Sequence, residues 1–165
     1  MYKQLYPRHD LKPVSRFCHK FGHVTIAGDL IGSDMPGQNS RSSSVIMAFW
    51  PSKGNTLNNI DNSQMQVGVV QFFMCHMLSY SNSGDLIKEE HIFAYVLWKQ
   101  MHPHFNWYGV SATVCVDMFE SVGSCCLLPV QRIGHRCAYT IMPVNFGDIT
   151  ETLFIACPIP LSYCL

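Results

Sequence analysis

The chain has 165 residues, 48 % of them hydrophobic and 13 % charged, with eleven Lys and Arg balancing eleven Asp and Glu. Soluble domains average about 25 % charged residues, so this balance excludes a charge-driven disordered chain, an acidic tail protein and strong whole-protein steering toward phosphate. The length fits one domain, or one domain with an arm, and so neutral and apolar a chain tends to associate or to work inside something larger.

Charge is concentrated at the start. Residues 1–23 carry Lys3, Arg8, Lys12, Arg16 and Lys20 against Asp10 alone, a net +4, interleaved with Tyr2, Tyr6, Phe17 and Phe21. This reads as a basic aromatic arm over 1–22, followed by a single β-rich domain over 23–165. The remainder holds six basic and ten acidic groups. The first eight residues contain no apolar h-region, so they do not read as a secretory signal. No stretch reaches the ~18 uncharged apolar residues of a membrane helix; the longest, Val67 to Leu78, is broken by Gln71 and His76. An intracellular protein, nuclear or cytoplasmic and without membrane contact, is the expectation. Its eight cysteines are then read as reduced thiols.

Runs rich in β-branched and aromatic residues predict strands near 23–31, 44–50, 66–74, 91–99, 112–119, 126–131, 135–142 and 151–157. Polar stretches between them read as loops: Ser33 to Ser44, Pro51 to Gln64, and Ser79 to Asp85 with its Asn82-Ser83-Gly84 turn signal. Leu86 to Lys99 also fits a helix capped by Asp85, but the unbroken apolar run Ile92 to Trp98, with its aromatics, favours a strand from 91. The spacing suits a small barrel or sandwich with few short helices.

Catalytic signatures are missing from the sequence: it holds no G-x-S-x-G elbow, P-loop, G-x-G-x-x-G or H-E-x-x-H. Its acids fall mainly at predicted loops and strand ends, as solvated turn residues do. Cys18, His19 and His23, the pair His102 and His104, Cys75-His76 and Cys125-Cys126 contain potential metal ligands. None forms the C-x2–4-C knuckle that lets one tight turn present two thiolates to zinc, so no metal and no other cofactor is expected. Cys115, Cys137 and Cys157 lie in apolar runs and read as core thiols, leaving Cys75 beside His76 as the nearest approach to a nucleophile.

Three stretches stand out in the second half: Val67-Gly68-Val69-Val70-Gln71-Phe72-Phe73, then His91 to Trp98 followed by His102-Pro103-His104, then Leu128-Pro129-Val130-Gln131-Arg132-Ile133-Gly134-His135-Arg136-Cys137-Ala138. Their succession resembles uncharacterised, mobile-element-derived reading frames of sponge and cnidarian type, and more distantly the bromo-adjacent homology (BAH) domain. Gly68 and Val69 match that family's first strand, and Val96 and Trp98 its Val-x-Trp strand. Pro103 matches the loop, Glu120 and Ser121 the acidic-Ser segment, and Pro129, Ile133, Arg136 and Cys137 the closing strand. The resemblance covers about residues 66–140. It implies a partly closed BAH-like β-barrel and a non-catalytic interaction module associated with chromatin or a mobile element.

Read physically, a Gly-led apolar strand, a strand closing on Trp98 and a Pro-initiated strand closing on Cys137 describe a curved sheet, with Trp98 plugging its core. Trp50, Trp107 and Tyr108 beside predicted loops are candidate partner contacts. Arg132 and Arg136, four apart on a predicted strand, share a face. With the arm's Lys3, Arg8, Lys12, Arg16 and Lys20 they form a candidate basic strip for a protein or DNA partner, a small-molecule substrate being disfavoured. Two other classes stay open: a hydrolase or nuclease fragment assembled from scattered His, Cys and acids, and a self-associating structural subunit.

Overall fold

The computed structural model describes residues 12–13, 18–36, 44–49, 65–82, 85–103, 112–123 and 126–161. These residues are mainly β. In chain order the strands are β1 (Lys12–Pro13), β2 (His19–Phe21), β3 (His23–Ile26), β4 (Asp29–Gly32), β5 (Val45–Phe49), β6 (Met65–Asn82) and β7 (Asp85–Met101). They continue with β8 (Thr113–Phe119), β9 (Leu127–Pro129), β10 (Ile133–Phe146) and β11 (Ile149–Pro160), and one 3-10 turn covers Val130–Arg132.

Antiparallel pairing runs β6–β5–β10–β11–β8–β7 and returns from β7 to β6, a partly closed ring of six strands. Closure depends on β7. Gly68 to Asn82 of β6 pair with Trp98 to Asp85 of β7, while Lys99 and Met101 reach across to Phe119 and Cys115 of β8. Beside the ring, β9 pairs with β7, and β1 and β2 pair with β6. The described parts of the N-terminal segment therefore lie along β6. Among the described residues no helix is long and apolar enough to cross a membrane.

Two apolar layers follow from the period-2 alternation of strands. One gathers Val45, Met47, Val67, Cys115, Cys137, Phe154 and Ala156, with Met65, Val69 and Met101 packed against it. It draws on all six ring strands and marks the ring's inner face. The other lies outside, where Ile46, Ala48, Val70, Val96 and Trp98 are covered by Ile31 of β4 and by Cys126, Leu128 and Val130. Trp98 is 2 % exposed, buried as expected, but in the layer outside the ring rather than plugging it. Gly68, its register partner, makes room: a Cβ there would press on Val96 Cγ1 and come within 2.8 Å of Trp98 Cε3.

Several sequence expectations are corrected. The run 23–31 is a hairpin, because Ala27 and Gly28 turn it at φ 49° and 86°, a primed two-residue turn matching strand twist. Ser79 to Asp85 is not all loop, since β6 continues to Asn82 and β7 restarts at Asp85. The strand over 126–131 shrinks to Leu127–Pro129 before the 3-10 turn. Cys157 is exposed, because its neighbour Ala156 takes the inward position and alternation turns Cys157 out. Among the described acids Asp29, Asp34, Asp85, Glu120 and Asp148 fall at loops, turns or strand starts, whereas Glu89 and Glu90 lie inside β7, Asp117 inside β8 and Glu151 inside β11.

Candidate functional site

Where β7 leaves the ring, its last residues meet β8 and β11 at an open cleft of about 780 Å³ lined by His102, Pro103, Val116, Asp117, Met118, Glu151 and Thr152. Strand alternation turns Trp98 outward and Lys99 inward. Lys99 is 3 % exposed, and its Nζ donates to Asp117 Oδ1 at 2.6 Å. The same ammonium lies 4.1 Å and 4.6 Å from the ring centroids of Phe119 and Phe154. A buried cation is tolerable only when paired, and here one carboxylate and two aromatic faces compensate its lost hydration.

The second pair in the cleft is His102 with Glu151, Nε2 to Oε2 at 3.2 Å. His102 is buried, its ring stacks on Phe146 at 5.8 Å, and its backbone N–H donates to Val114 O. These contacts hold the imidazole edge toward Glu151. Each ionisable side chain in the cleft lining thus has a protein partner.

The thiols are poor nucleophiles. Burial, with a hydrogen bond to the Glu90 carboxylate and its charge, pushes Cys75 up to about 11. Burial pushes Cys115 up to about 12 despite the nearby Lys99 charge, and likewise Cys137 to about 12, with Cys157 and Cys115 adding to it. A thiol so raised holds almost no thiolate near neutral pH. Among the described residues no three His, Cys, Asp or Glu side chains gather in a metal-holding arrangement.

A different surface lies across β2, β6 and β7. Phe72 and Tyr95 are register partners whose rings stack at 5.0 Å and 12°. Lys20 of β2 is exposed, and its Nζ sits 4.2 Å from the Phe72 centroid. A cation and two half-buried aromatics thus share one stretch of sheet.

The predicted site residues meet different fates. Lys3, Arg8, Arg16, Trp50, Trp107 and Tyr108 lie outside the described residues. Lys12 is in β1 opposite Ser79, and Lys20 belongs to the aromatic strip. Arg132 and Arg136 do not share a strand face: Arg132 ends the 3-10 turn, which interrupts the strand before β10 begins. Arg136 Nη2 faces Asp29 Oδ1 at 3.5 Å, so its charge is drawn to β4. Neither Lys99 nor the stacked pair was singled out by sequence. Each had a signal: a lysine following an apolar strand, an aspartate following Val114-Cys115-Val116, and aromatics in two strands that pair.

Comparisons with protein-family models, with curated proteins and with solved structures found no match to this chain.

Proposed function

We infer that the chain is a non-catalytic interaction module of a nuclear or cytoplasmic protein associated with chromatin or a mobile element, built on a BAH-like β-domain. The observation that carries the reading is the strip formed by Lys20, Phe72 and Tyr95. An exposed ammonium beside a stacked aromatic pair fits a nucleic-acid strand, because bases stack on aromatic faces and phosphates attract the cation. Lys12 and Lys20, the described basic residues of that segment, lie in strands paired with β6, on the sheet that bears the aromatics.

The test is a salt series of single-stranded DNA binding by the intact chain and by Lys20→Gln, Phe72→Ala and Tyr95→Ala. Truncating residues 1–22 is a poorer test because it removes two strands paired to β6. Affinity should fall with salt by roughly 0.7 log per log for each phosphate neutralised on a single strand. With five basic residues in the segment, the slope should stay below about 4. Lys20→Gln should reduce the slope, and each aromatic variant should weaken binding by about 1–3 kcal/mol. Undetectable or salt-insensitive binding, unchanged in all three variants, would leave another protein as the partner.

A second reading, a hydrolase fragment, rests on His102 being oriented by Glu151 beside a cleft large enough for a small molecule. It requires that His102→Gln abolish a hydrolytic activity of the intact chain while leaving its fold unchanged.

A further inference from the structure

We propose that the outer edge of β10, from Cys137 to Asn145, is a strand-addition interface for a second copy of this chain. β10 is paired with β11 along its length from His135 to Phe146, but its pairing with β5 ends at Arg136. Beyond that point the edge has no strand partner among the described residues. Phe146 and Ile149 flank the two-residue turn Gly147-Asp148 and are directly opposed, so they form the hydrogen-bonded pair of the hairpin. Backbone groups alternate from there. Val144, Met142, Thr140 and Ala138 address β11, whereas Asn145, Pro143, Ile141 and Tyr139 direct their polar groups outward. Pro143 fits this polarity, because its missing N–H falls on the outer edge and costs β11 no bond.

The edge is long and uncharged. Residues 137–146 contain no Asp, Glu, Lys or Arg, so of the charges and prolines that ordinarily guard a sheet edge only Pro143 is present. Apolar side chains stand exposed on both faces, with Tyr139 at 38 %, Ile141 at 50 % and Met142 at 41 %. Tyr139 is braced on Phe154, ring centroids 4.9 Å apart, so the strand is held in shape.

Self-pairing suits this edge better than a charged partner strand does. An antiparallel two-fold arrangement centred on Ile141 places Thr140 opposite Met142 and Tyr139 opposite Pro143 of the second copy, where the missing Pro143 N–H forgoes one ladder bond in each half. Every opposed pair is uncharged, and a two-fold interface needs such self-complementarity. The zero net charge of the chain adds no long-range repulsion between copies.

Sedimentation velocity from low to high micromolar concentration, with hydrogen–deuterium exchange of the intact chain, tests the proposal. The expected result is a reversible dimer in which the peptide covering 138–145 gains protection as concentration rises. Ile141→Lys, which sets two like charges on the axis, should weaken the dimer about a hundredfold. Leu86→Lys, at a site 68 % exposed on β7, should leave it intact. Circular dichroism of both variants checks that the fold survives. A monomer at every concentration overturns the proposal. So does a dimer that is indifferent to Ile141→Lys or gains no protection over 138–145.

Discussion

Lys99 and Asp117 offer an unequal pair of substitutions. Asp117→Ala strands an ammonium that is 3 % exposed, whereas Lys99→Met removes the buried charge and leaves a carboxylate whose side chain is 35 % exposed. Breaking a fully buried pair by deleting one partner costs about 3–5 kcal/mol. Solvent reaching Asp117 screens part of that attraction, and the Phe119 and Phe154 faces retain part of the cation's stabilisation, which lowers the expected loss to about 2–3 kcal/mol. Methionine has a similar reach and no charge to bury, so Lys99→Met should cost within about 1 kcal/mol. Joining the two substitutions should recover stability relative to Asp117→Ala alone. Urea unfolding followed by circular dichroism reads this directly: at a slope near 2 kcal/mol/M, Asp117→Ala moves the midpoint down by about 1–1.5 M. If Asp117→Ala costs no more than Lys99→Met, the ammonium is not buried as described and the inward turn of β7 at Lys99 is wrong.

Gly68→Ala should destabilise by about 1–3 kcal/mol, because Val96 and Trp98 are buried and have little room to withdraw; thermal unfolding measures it, and an unchanged midpoint refutes the close packing. Thiol titration at pH 8 in native buffer should find the exposed Cys18 and Cys157 reacting before Cys75, Cys115 and Cys137, which become reactive on unfolding. The same shifts give a pH dependence. The folded thiols at about 11 and 12 stay protonated where unfolded ones ionise, so the folded state binds more protons. Their stabilisation is present in full below about pH 9 and is lost as pH rises toward 12. Denaturation midpoints across that range should fall, and Cys115→Ala should make the fall shallower.

The sequence made the strands legible where β-branched and aromatic residues cluster, as in Val67–Phe73, Ile92–Trp98 and Thr113–Val116. It concealed their lengths where one face is polar. Ser79 and Tyr80 on β6, and Lys88, Glu89 and Glu90 on β7, read as loop or helix, yet pairing across the hairpin keeps them extended. The turn at Ala27 was hidden because alanine rarely adopts positive φ. The cleft could not be read locally: Lys99, Asp117 and Glu151 come from three strands, and only the return of β7 to the ring brings them together. Arg132 and Arg136 looked like one face because the 3-10 turn after Pro129 leaves no strong periodic signal.

The proposed partner-binding surface is the Lys20–Phe72–Tyr95 strip. Ultraviolet crosslinking of the intact chain to a labelled single-stranded oligonucleotide, with the modified residues mapped by mass spectrometry, tests it most directly. Adducts on Phe72 or Tyr95, suppressed by rising salt and reduced in Lys20→Gln, are the expected result. Adducts confined to the His102–Glu151 cleft, or none at a concentration where a known single-strand binder is labelled, would contradict it.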